Sequence, residues 1–97
     1  APAAARESAQ RWIANGGGAP ARHCLAMAYL AEGRFAAASL ALEQAGDAAD
    51  AARQPAAADL YGQAGNAAIL GGEFARAHKL LSAALVRASG DARRQAP

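Results

Sequence analysis

Apolar residues recur along this chain three and four positions apart, the spacing that lines one side of an α-helix, and glycine or proline cuts the pattern repeatedly. Residues 3–15 read as a first helix, broken by Gly16 to Gly18. A second covers 20–32, with Pro20 suited to its first turn and Gly33 ending it. The third begins at residue 35, where Phe35, Ala38, Leu42 and Ala45 keep helical register. Gly46 offers a stop, but the stretch AGDAADAARQ has the propensity to continue until Pro55 forces Gln54 out of αR geometry, so the expected end is near residue 52. A fourth helix over 55–70 stops at Gly71 and Gly72, and a fifth over 74–88 stops before Gly90. Asp91 then caps the start of a further helix, or a tail, across 91–97. Ile13, Ile69 and Val86 are the only β-branched aliphatic residues, so strands lack local support and the expected class is all-α.

The chain also resembles itself. When LAMAYLAEGRFAAASLALEQA, from Leu25, is laid over AGNAAILGGEFARAHKLLSAA, from Ala64, Gly33 falls on Gly72 and Phe35 on Phe74. Ala38 then meets Ala77, Leu42 meets Leu81 and Ala45 meets Ala84. The opening helix joins the series if Ala5 corresponds to Ala38, which puts Trp12 over Ala45; the spacings are then 33 residues from Ala5 to Ala38 and 39 from Ala38 to Ala77, a period close to 34. The reading is one domain over 1–97: a preceding helix at 3–15, repeat one at 20–54 with an extended second helix, and repeat two at 55–90.

Repeat one carries Leu25, Ala26, Tyr29, Gly33, Phe35, Ala38, Leu42 and Ala45, and repeat two keeps Tyr61, Gly65, Gly72, Phe74, Ala77, Leu81 and Ala84. In these residues the chain resembles the tetratricopeptide repeat family, whose unit is a helix-turn-helix of 34 residues. The resemblance covers residues 3–90. It departs at Arg22, where the family prefers an aromatic, at Ala68, where it prefers Tyr, and in about five extra residues between the repeats. It implies a short α-solenoid of antiparallel helix pairs with a concave face lined by the first helix of each repeat. On that face the resemblance places His23, Met27 and Leu30 in repeat one, and Asp59, Gly62, Gln63, Asn66 and Leu70 in repeat two. The implied function is a scaffold for protein binding, with a peptide or protein segment as partner. The family's clamp for a peptide carboxylate uses Lys and Asn, whereas His23 and Met27 stand in the leading positions here, so an acidic C-terminal peptide is not the expected ligand.

Composition sharpens the physical side of this reading. The hydrophobic fraction is 54%, but about a third of the chain is alanine, which supplies little apolar area per residue. A thin core follows, in which small side chains let helices approach closely. Ala26 or Gly65 must then face Ala38 or Ala77, and Phe35 and Phe74 are expected to fill a wedge beside each turn, each contributing about 1.5–3 kcal/mol on burial. Gly62 and Gly65 each cost about 1 kcal/mol relative to Ala in a helix interior. Packing explains Gly65, while Gly62 is expected to leave room in the groove beside Gln63 and Asn66. One repeat cannot cover its own apolar face, which leaves self-association through the repeat ends as a second functional reading.

The remaining chemistry is sparse. A net charge of +2 does not demand an anionic partner, and Arg87, Arg93 and Arg94 form the one basic cluster, with no aromatics beside it for stacking bases. Nucleic acid is therefore a remote alternative. Cys24 is the single cysteine and is expected half-buried; His23 beside it diverges by about 100° around the helix, so neither a disulfide, a metal site nor an activated thiol is expected. His78, near Arg76 and Lys79, reads as part of a solvated outer face. No cofactor is implied, and no nucleophile, base and orienting group can be placed together, so an enzyme is not expected. No apolar run approaches the roughly 20 residues of a membrane span. The compartment stays open between cytoplasm and periplasm. The alanine-rich start and the basic end at Arg93, Arg94 and Pro97 read as a segment of a longer chain.

Overall fold

The computed structural model describes residues 1–95, with side chains to residue 91. Five α-helices follow one another: α1 (Pro2–Ala14), α2 (Gly18–Ala31), α3 (Phe35–Ala51), α4 (Ala56–Leu70) and α5 (Phe74–Gln95). Among the described residues there is no strand, and no helix is long and apolar enough to cross a membrane.

Each of the first four helices ends in the same way. The amide three residues past the helix reaches back to the carbonyl five positions earlier: Gly17 to Trp12, Arg34 to Tyr29, Gln54 to Ala49 and Glu73 to Ala68, at 2.8–2.9 Å. This reciprocal closure needs a left-handed residue just past the helix end. Gly16, Gly33 and Gly72 supply it, and at the remaining corner Arg53 takes φ +56°. Short closed corners fold each helix back on the one before it.

The pairings define two layers. Gly65 of α4 packs against Leu81 and Ala77 of α5, and Gly62 faces Ala84, so residue numbers run in opposite directions and the two helices are antiparallel. The same holds for α3 against α4, through Gly46 with Tyr61, Ser39 with Ala64 and Phe35 with Gly71. By contrast α2 and α4 run parallel, with His23 beside Gln63, and so do α3 and α5, with Ser39 and Glu43 beside Arg76 and Asp50 beside Arg87. Helices α2 and α4 form one layer and α3 and α5 the other, while α1 packs on α2 and is tied to its end by Arg6 and Glu32. The result is a slab of 46 × 31 × 16 Å.

The core is built almost wholly of alanine. Ala26, Ala38, Ala45, Ala49, Ala64 and Ala68 are fully buried, and Leu42 and Ser39 are the largest side chains with no exposure. Ser39 sits where three helices meet. Its hydroxyl donates to the Ala64 carbonyl at 2.8 Å and accepts from Arg76 at 3.1 Å, so the buried polar atom is satisfied from α4 and α5 together.

Helix α3 runs 17 residues, through Gly46 to Ala51, and the bare backbone at Gly46 receives the Tyr61 ring. Other expectations change. Helix α5 does not stop before Gly90 but continues to Gln95, so Asp91 lies inside it and caps nothing; residues 96–97 lie outside the described region. Glycine ends a helix only when an αL turn captures it, and Gly90 keeps negative φ. Phe35 and Phe74 open α3 and α5 at equivalent corners, yet only Phe35 is partly covered, by Gly71 of the following corner. Among the described residues no corner follows to cover Phe74, which is largely exposed and fills no wedge. Cys24 is exposed and not half-buried.

Candidate binding groove

The parallel run of α2 and α4 leaves a channel between them, and polar side chains bridge its floor. His23 Nε2 lies 3.2 Å from Gln63 Oε1, and Gln63 Nε2 donates to Asp59 Oδ2 at 2.8 Å. Because the carboxamide oxygen faces the imidazole, His23 Nε2 is the donor of that pair. Asp59 and Gln63 are one helical turn apart on α4, which brings their side chains to the same side. Gln63 is thereby held from both directions, in one orientation.

Two hollows meet at this residue. The first, about 310 Å³, opens beside Ala19, Pro20 and His23 of α2 and Asp59 and Leu60 of α4, with Gln54 from the intervening loop at its edge. The second, about 180 Å³, has an apolar floor of Leu30, Leu42, Ala67 and Leu70, with Asn66 at its rim. Gln63 lines both. Among the residues lining the two, Asp59 is the one acidic side chain and there is no lysine or arginine to pair with a carboxylate or phosphate. The Asn66 carboxamide is exposed and bonds to no other described side chain or backbone group, which leaves both its donor and its acceptor for a ligand.

Of the residues expected on the concave face, His23, Leu30, Asp59, Gln63, Asn66 and Leu70 come together along this channel. Met27 does not. It turns to a separate apolar hollow of about 530 Å³ between α1 and α2, shared with Cys24, Ala5 and Ala31. Gly62 is also elsewhere: a side chain at that position would point toward Ala84 of α5, 3.9 Å away, and not into the groove. Helical spacing puts Gly62 beside Gln63, but the roughly 100° between neighbours turns it to the opposite flank of α4. Sequence reasoning missed Ala19, Pro20, Gln54 and Leu60. Nothing in their type marks them, since they reach the channel through the α3–α4 corner and the offset between two helices.

Of the basic cluster expected at the end of the chain, only the Arg87 side chain is among the described residues. Arg87 turns inward to Asp50, with bonds of 3.0 and 3.1 Å, and its guanidinium lies 4.6 Å from the centroid of the Tyr61 ring. The side chains of Arg93 and Arg94 lie outside the described residues. Among the described residues no three His, Cys, Asp or Glu side chains converge to hold a metal ion. No protein-family model, curated protein or solved structure matches the chain.

Proposed function

We propose that this chain is a non-catalytic protein-binding module of the tetratricopeptide type, and that the α2–α4 channel takes an extended peptide segment. The observation that carries this reading is the junction of two mainly apolar hollows at Gln63: one with His23 and Asp59 among its walls, and one over Leu30, Leu42 and Leu70. Such a pair suits an extended peptide. One aliphatic side chain enters the second hollow, and the neighbouring main chain meets the exposed Asn66 carboxamide. The single negative charge at Asp59 favours a neutral or basic residue next in the segment.

A displayed library of random peptides, panned against the intact chain, tests the reading. Selected peptides should carry an aliphatic residue flanked by a neutral or basic one. Their binding should weaken about tenfold or more on Asn66→Ala or Leu70→Ala, both exposed, with no fall in the melting temperature. Selection of peptides whose binding ignores both substitutions would refute the proposal.

A further inference from the structure

The two hollows of the α2–α4 channel are one wall used twice. On α4, Ala56, Asp59, Leu60 and Gln63 line the first, and the positions seven residues on, Gln63, Asn66, Ala67 and Leu70, line the second. On α2 the step is the same, from His23 to Leu30. Seven residues are two helical turns, so the hollows lie about 10.5 Å apart along both helices. Each suits a single side chain: volumes of about 310 and 180 Å³ stand at and below the lower end, roughly 300 Å³, of sites for small molecules.

That spacing selects among backbone conformations, because two side chains entering from one side must share a face of the ligand. On a β-strand the same face returns every second residue, at about 6.7 or 13.4 Å, and misses the gap by about 3–4 Å. On a polyproline II helix it returns every third residue, at about 9.3 Å, within about 1 Å of the gap. Residues seven apart on an α-helix also match, but the N–H and C=O groups of a helix interior are bonded within it. The channel, by contrast, offers amide N–H groups to a main chain. Gln63 spends its Oε1 on His23 and one N–H on Asp59 Oδ2, which leaves the second N–H, and the Asn66 carboxamide bonds to no other described group. A polyproline II segment has no internal hydrogen bonds, so its carbonyls are free to accept.

We infer that the channel takes a segment in the polyproline II conformation, with apolar side chains at i and i+3 in the two hollows and the carbonyls between them bonded to Gln63 and Asn66. The inference rests on the peptide-binding reading above and narrows it to one register. Gln63 is the residue that sets that register, since it lines both hollows and His23 and Asp59 hold its carboxamide in one orientation. Proline is admitted at both intervening positions, where only the carbonyl is used. Asp59, with no lysine or arginine among the lining residues, disfavours an acidic residue at either anchor.

The experiment titrates labelled synthetic peptides with identical flanks against the intact chain. Three carry two leucines separated by one, two or three prolines, and a fourth carries leucines seven apart in an alanine-rich helix. The peptide with two prolines should bind about tenfold more tightly than each of the others. Gln63→Met, close in shape but without the N–H, should weaken that peptide about fivefold while circular dichroism reports an unchanged fold. The spacing series uses the parent chain and decides the matter even if Gln63→Met does not fold, in which case the exposed Asn66→Ala takes its place. Equal affinity across the three spacings, tightest binding by the helical peptide, or a two-proline peptide indifferent to residues 63 and 66 would each overturn the inference. If no peptide of the series binds while library-selected peptides still depend on Asn66 and Leu70, the polyproline II register is wrong and the channel reading stands. If the library shows no such dependence either, both fall together.

Discussion

The ring of Tyr61 occupies the space that a side chain on Gly46 would take, and a Cβ built there would come within 2.9 Å of two ring carbons. The same ring carries Arg87 against it, and its hydroxyl donates to Asp47 at 2.6 Å. One aromatic residue of α4 thus gathers α3 and α5 in a protein whose core is otherwise alanine and a few leucines.

Gly46→Ala should therefore destabilise the protein. In an unencumbered helix the change would stabilise by about 1 kcal/mol. Overpacking against Tyr61 costs about 1–3 kcal/mol and outweighs it. The melting temperature should fall by several degrees, and in a Tyr61→Ala background the same substitution should raise it. A rise in the parent background would contradict the packing described.

Burial and the bond to Asp47 push the Tyr61 hydroxyl up to about 12 from the ordinary 10. The folded protein therefore keeps this proton where the unfolded chain has lost it. Stability from the neutral hydroxyl is complete below pH 10 and drains away as pH rises toward 12. Alkaline unfolding should be less steep in Tyr61→Phe, which lowers stability at neutral pH but removes the titrating group. Equal pH slopes for the two proteins would exclude the assignment.

Ser39→Ala removes a buried donor to Ala64 and an acceptor for Arg76. A loss of about 1–2 kcal/mol is expected by chemical denaturation, against no measurable change for Ser82→Ala on the exposed surface. If the two variants behaved alike, the three-helix junction would not be held by this hydroxyl.

Arg53 occupies the left-handed corner that glycine fills elsewhere. An L side chain there costs about 1–2 kcal/mol, so Arg53→Gly should stabilise by up to about 1 kcal/mol once the greater freedom of the unfolded chain is counted. Thermal melting checks the sign. A lower midpoint would mean that the arginine side chain contributes more than its backbone strain removes.

Much of the architecture was legible because its signals are local. Helical spacing, and glycines at 16, 33 and 72, place three of the four corners, since a left-handed turn after a helix is a demand on one residue. The corner at Arg53 was not legible as such, because nothing in an arginine announces positive φ; Pro55 only hinted at it. Gly46 and Gly90 look alike in sequence and both stay helical, the first holding a ring from a different helix, the second meeting nothing within 4 Å. Gly62 and Met27 share their faces with groove residues, but which flank of α4 or α2 opens to the channel depends on where neighbouring helices lie.

What the chain determined by itself is therefore its helices, most of their boundaries and the 39-residue echo between two halves, all properties of backbone preference and near neighbours. What only the tertiary arrangement decided is which members of that echo are covered. Phe35 and Phe74, or Leu42 and Leu81, are the same residue at the same register, and they differ in exposure because a fourth helix rests on one edge and, among the described residues, none rests on the other. Burial is a relation between elements, and no local pattern contains it.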